Sequence, residues 1–116
     1  MIFVIDDDEI MAECVARACK NFEVKIFSDA INAMNAISDG QIPEMIFLDI
    51  MLTGPDGFTF LNELISYQDT AKIPIVIISS LDLTKIDLKV YGVVGILSKD
   101  EMTPQEIESY VEKYAK

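Results

Sequence analysis

The chain has 116 residues, 51% of them apolar, which is enough for one domain with a substantial core and too hydrophobic for disorder. Nine basic residues against 20 acidic ones leave a net charge of −11, which argues against direct contact with nucleic acid or an anionic membrane, since both depend on basic patches. The chain contains no histidine, so a zinc site or a histidine-based triad is excluded.

Ile2-Phe3-Val4-Ile5 is a short apolar run that ends on three acids, Asp6, Asp7 and Asp8. A run this short, stopped at once by charge, suits a buried strand and not a signal peptide, and no run in the chain reaches membrane-spanning length. Apolar positions 10, 11, 14, 15 and 18 then repeat with a helical period, predicting a helix from Glu9 to Lys20 with Asp8 capping its start. Cys14 and Cys19 lie five apart without a CxxC and read as small reduced core residues of a cytoplasmic protein.

Val24 to Phe27 reads as a second strand, and Ala30, Ala33, Met34 and Ile37 mark a second helix closed near Gly40. Met45-Ile46-Phe47-Leu48-Asp49 is the central strand: four apolar residues, covered on both faces, that stop on a carboxylate. A Gly/Pro loop from Ile50 to Gly57 follows, then a third helix on Phe58, Leu61, Leu64 and Ile65. Ile75-Val76-Ile77-Ile78 is a β-branched fourth strand introduced by Pro74. Leu83, Ile86 and Val90 support a fourth helix, and Gly95-Ile96-Leu97 a brief fifth strand ending at Ser98-Lys99. Thr103-Pro104-Gln105-Glu106 opens the last helix with a capping box and a proline at its first position, and Ile107, Tyr110, Val111 and Tyr114 form its inner stripe.

Five strands alternating with five helices imply a doubly wound α/β fold, a five-stranded parallel sheet in the order 2-1-3-4-5. The whole of 1–116 is expected to form a single domain, with no room left for an effector domain. Parallel strands share one C-terminal edge, and the acids after strands one and three flank the switch point where a crevice opens. On that edge stand Asp6, Asp7 and Asp49, with Ser79 after strand four and Lys99 after strand five. Three clustered carboxylates are held ionised most naturally by a divalent cation, and an all-oxygen site with room for waters suits Mg²⁺. Asp49 would then be a nucleophile toward a phosphoryl group, with Lys99 and Ser79 as cationic and hydroxyl partners for its oxygens.

Val4-Ile5-Asp6-Asp7-Asp8, Phe47 to Leu52 with Asp56-Gly57, Pro74 to Ser80, and Gly95 to Lys99 resemble the receiver domain of two-component response regulators, in order and along essentially the whole chain. The resemblance implies that Asp49 is the phosphoacceptor and that Asp7, Asp49 and the Met51 backbone carbonyl bind Mg²⁺, with Asp6 acting mostly through water. It implies that Ser79 is the switch hydroxyl and Lys99 the phosphate-binding lysine. The donor would be a phosphohistidine on a sensor histidine kinase or a histidine phosphotransfer protein. The surface of the fourth helix, fifth strand and last helix would carry the signal, and leaves a homodimer through it open. Turnover as an enzyme is not implied beyond assistance to its own phosphorylation and slow dephosphorylation.

Three positions depart from the family pattern. Thr53 stands where the loop proline is usual, with Pro55 two later; Asp100 replaces the proline that commonly follows the lysine; Ile96 replaces a switching aromatic. Met51 and Leu81, which the resemblance sets beside the path of the attacking water, are apolar and imply a long-lived phosphoryl group. A receiver-fold module that only binds partners stays open as an alternative because of Thr53 and Ile96. An aspartate phosphatase of the dehalogenase type fits less well, because Met51 stands where its general acid would be. A flavodoxin-like carrier fits poorly too, because Asp6-Asp7-Asp8 would repel a flavin phosphate.

Overall fold

Five apolar runs lie side by side as parallel strands: β1 (Ile2–Ile5), β2 (Val24–Phe27), β3 (Met45–Asp49), β4 (Ile75–Ser79) and β5 (Val93–Ser98). Their order across the sheet is β2-β1-β3-β4-β5. The computed structural model describes residues 1–51, 57–80 and 87–115. Between the strands run α1 (Glu9–Ala18), α2 (Ala30–Ser38), α3 (Gly57–Ile65) and the single turn α4 (Gln68–Ala71), and α5 (Pro104–Tyr114) follows β5. A short 3₁₀ turn, Lys89–Tyr91, precedes β5. It holds Val90 of the expected fourth helix; Leu83 and Ile86 lie outside the described residues.

The continuous apolar runs are explained by two-sided cover. Every residue of β1, β3 and β4 is buried, and alternate side chains go to opposite faces. Phe3, Ile5, Ile46, Leu48, Ile75 and Ile77 pack with α2 and α3. Ile2, Val4, Phe47, Val76 and Ile78 pack with α1 and α5. Each large side chain fully buried contributes about 1.5–3 kcal/mol, so the three central strands carry much of the core. The two outer strands, β2 and β5, are only partly covered, with Ile26 and Ile96 exposed.

Helix ends follow local chemistry. Asp8 accepts the Ile10 and Met11 N–H groups at 3.0 and 3.2 Å and starts α1. Thr103 and Glu106 form the reciprocal capping box of α5. After α2, Gly40 takes φ +96°, its N–H donates to Ile37 O and that of Gln41 to Ala36 O, a Schellman closure that a Cβ would strain.

Several expected details are corrected. Helix α1 ends at Ala18, two residues early, and turns Ala12, Val15 and Ala18 inward with Met11 half-buried. Ile10 is 79% exposed and Cys14 is exposed, so only Cys19 is a core cysteine. The periodic stripe 11, 12, 15, 18 and 19 fits a 3.6-residue turn better than one begun at Ile10. Burial pushes the Cys19 thiol up to about 11, so it is an inert core group. Strand β5 is longer than the three residues expected, and α4 was not expected. Among the described residues no helix is long and apolar enough to cross a membrane.

Candidate functional site

The register of the sheet builds the site. Ile5 pairs with Leu48, so Asp6 and Asp49 emerge from adjacent strands at the same level. Asp49 pairs in register with Ile78, and Ser79 with Ser98, which brings the ends of β4 and β5 to the same edge. The Lys99 N–H donates to Ser79 O at 3.1 Å and fixes the point where the chain leaves β5.

Asp6, Asp7 and Asp49 each offer a carboxylate oxygen, and these oxygens lie within 4.8 Å of one another. Asp6 and Asp49 are each 2% exposed, whereas Asp7 is exposed. Lys99 reaches across from β5: its Nζ donates to Asp49 Oδ2 at 2.9 Å and stands 3.7 Å from Asp6 Oδ1. Asp49 Oδ1 accepts the Met51 N–H at 2.9 Å, which draws the backbone after β3 toward the carboxylate. Asp6 Oδ1 accepts the Asp8 N–H at 2.9 Å, while Asp6 Oδ2 is buried with no hydrogen-bond partner among the described residues.

Burial pushes the Asp6 carboxyl up to about 6; the Asp8 N–H opposes this, and the Asp49 charge adds to it. Burial alone would lower the Lys99 ammonium, but the Asp49 hydrogen bond and the Asp6 and Asp49 charges outweigh it and raise it. Lys99 is therefore held cationic against two nearly buried acids. One ammonium cannot balance three carboxylates. An all-oxygen, anionic donor set with an orphaned buried oxygen has the chemistry of a hard divalent cation site, and it fits Mg²⁺.

The structure thus brings Asp6, Asp7, Asp49 and Lys99 into one cluster, with Ser79 (2% exposed) one strand away and Met51 (58% exposed) at the mouth. Thr53, Pro55 and Leu81 lie outside the described residues. Ile96 is 42% exposed on β5. Two features were not foreseen. Lys99 faces Asp6 as well as Asp49. Ile50, read as the first loop residue, is fully buried, and its carbonyl accepts the Gly57 N–H at 3.1 Å. Its bulk and β-branching immediately after the acid were the signal for burial.

Fold and site together define a doubly wound α/β protein whose functional edge is acidic, with one lysine set against it. The chain matches the family model of the response regulator receiver domain over residues 2–112 and belongs to that family. Response regulator PleD of Caulobacter vibrioides is 34% identical over 83 residues, covering 70% of this chain, which spans only 18% of that relative's length. The receiver domain of NtrX from Brucella abortus superposes with a TM-score of 0.83 at 26% identity, covering 97% of this chain and 96% of that one. The signal receiver domain of NarL from Mycobacterium tuberculosis gives 0.76 at 28% identity, covering 97% and 92%. Receiver domains are signalling modules of two-component systems; phosphorylation by histidine kinases and Mg²⁺ binding at an acidic pocket are general to the family.

Proposed function

We propose that this chain accepts a phosphoryl group on Asp49 from a phosphohistidine of a sensor kinase or phosphotransfer protein. The observation that carries the reading is the Lys99 ammonium 2.9 Å from Asp49 Oδ2, beside two further carboxylates. An Asp49 oxygen forms the new bond to phosphorus as the phosphorus–nitrogen bond of the donor breaks. The imidazole nitrogen keeps the electron pair and takes a proton. Lys99 offers positive charge to the incoming phosphoryl oxygens, and Ser79 a hydroxyl.

Asp6, Asp7, Asp49 and the Met51 backbone carbonyl would hold Mg²⁺, which when bound neutralises charge on the carboxylates and the phosphoryl oxygens. Lys99 and the Met51 N–H bind different Asp49 oxygens, so when one oxygen bonds to phosphorus its contact must change, and the phosphoryl oxygens compete for the Lys99 ammonium. Rearrangement at Lys99 and Ser79 acts directly on the ends of β5 and β4. The surface of β5, α5 and the segment joining β4 to β5 is therefore the one to signal, to a partner protein or to a second copy. A cytoplasmic location goes with such a donor.

The test is mass measurement after incubation with a small phosphodonor and Mg²⁺. One phosphoryl group should add to the parent and none to Asp49→Asn. Undiminished modification of Asp49→Asn would overturn the assignment, and an unmodified parent would favour a module that only binds partners.

A further inference from the structure

A groove runs between α2 and α3 on the face of the sheet opposite α1 and α5. It consists of two cavities of about 220 and 380 Å³ that share Met34 and Glu63. Apolar side chains line both parts, Ile31 and Phe60 the smaller and Ile37, Ile42 and Tyr67 the larger, with Thr59 and Asn35 or Ser38 and Thr70 among them. Ile31, Ile42 and Tyr67 are 55%, 42% and 60% exposed, so the apolar surface is open to solvent. The flanking helix is unusual in its own composition: α2 has no charged residue although Ile31, Asn32, Asn35 and Ser38 are exposed. The outer face of a surface helix ordinarily carries charge, and this chain is 25% charged.

The charges that do line the groove have one sign. Glu63 borders both cavities and Asp69 the larger, and among the described residues no lysine or arginine lines either cavity. We propose that this groove docks an amphipathic helix of a partner protein, with apolar residues seated between α2 and α3 and lysine or arginine flanks facing Glu63 and Asp69. Nine residues of α2 give a wall roughly 13 Å long, which matches two to three turns of a helix and anchors at i, i+3 or i+4, and i+7. A second copy of this chain fits worse. It would set Glu63 and Asp69 against acids of an equally charged molecule, −11 against −11. A basic helix meets both the apolar floor and the acidic rim. The groove lies apart from the β5 and α5 surface, so docking there needs no phosphoryl group on Asp49.

The test uses the ¹⁵N-labelled whole chain and an amphipathic peptide of leucine and lysine about 18 residues long, with a matched peptide in which glutamate replaces every lysine. The lysine peptide should shift the amides of Ile31, Met34, Ile42 and Tyr67, and the glutamate peptide should not bind. Glu63→Lys with Asp69→Lys should weaken binding at least about tenfold, as should Ile31→Asp. Charge reversal elsewhere, Glu101→Lys with Glu112→Lys, should change it by less than about threefold. All these side chains are exposed, and circular dichroism checks that each variant keeps its fold. Equal weakening by both charge-reversed pairs, or shifts scattered over the whole surface, would reduce the effect to general attraction by an acidic protein and overturn the proposal. Binding of the glutamate peptide, or concentration-dependent shifts of the same amides without peptide, would overturn it too, the last in favour of a second copy.

Discussion

Replacing Asp6 by asparagine should stabilise this protein, and by an amount that depends on pH. Asp6 is 2% exposed, and burial is the first reason its pKa stands at about 6 in place of the ordinary 3.8. A group whose folded pKa is raised holds its proton more tightly in the folded state. The carboxyl therefore costs nothing below about pH 4, and stability is lost as pH rises through about 6. The difference between 3.8 and about 6 corresponds to about 3 kcal/mol, at roughly 1.36 kcal/mol per pKa unit. Asparagine is nearly the shape of the protonated acid and can still accept the Asp8 N–H through its oxygen. In metal-free buffer, Asp6→Asn should match the parent near pH 4 and exceed it by up to about 3 kcal/mol above pH 7, raising Tm by on the order of 10 °C. Saturating Mg²⁺ should narrow the gap, because the folded parent, with one more carboxylate at the site, binds the cation more tightly than the variant and gains more by mass action. Thermal and urea unfolding between pH 4 and 8, in a chelator and again in saturating Mg²⁺, reads all three quantities. A gap of constant size across that range, or a parent more stable than the variant at pH 7.5, would refute the reasoning.

Asp7 is exposed, so Asp7→Asn should leave the unfolding free energy within about 0.5 kcal/mol of the parent while raising the Mg²⁺ concentration needed for phosphorylation; an unchanged metal titration would confine Asp7 to the start of α1. Gly57→Ala should destabilise by about 1–3 kcal/mol in urea, since the new Cβ would lie 2.8 Å from both Ile50 Cα and Cδ1 and the backbone would have to move. Met51→Asn with Leu81→Glu should shorten the phosphoryl lifetime at least about tenfold, by supplying hydrogen bonds to the attacking water. Decay of the phosphorylated parent as fast as that of the double variant would mean that other groups control the water.

The fold was legible where burial and sequence pattern coincide. Four apolar residues ended by Asp49 can only be a strand covered on both sides, and Thr103 with Glu106 can hardly be anything but a helix start. The failures have physical causes. Ile10 and Cys14 share the spacing of a core stripe, yet α1 lies on the sheet through the neighbouring stripe, and only packing decides between the two. Helix α4 is a single turn without a side-chain cap, held by the buried Thr70 hydroxyl donating to Leu64 O, a tertiary tie that no periodicity records. The site was legible as a set of residue types on one edge. Their division of labour was less so: the consecutive acids Asp6, Asp7 and Asp8 become a buried carboxylate with an orphaned oxygen, an exposed member of the cluster, and a helix cap. Burial, which separates the first two, comes from the height at which β1 ends against β3.

The contact between Ile50 and Gly57 has a consequence for how such a chain can change over evolutionary time. The Gly57 N–H meets Ile50 O at 3.1 Å, so the chain stands at almost the same point at Ile50 and at Gly57. Ile50 and Gly57 are both buried, so the two ends are anchored in the core. Lengthening a segment whose ends already meet costs only about 0.6 kcal/mol for each doubling. Beyond Met51, the positions up to Gly57 can therefore be exchanged, gained or lost while β3 and α3 keep their places, which makes them a natural graft point beside the acidic cluster. Thr53 and Pro55, where this chain leaves the family pattern, both fall inside that replaceable span.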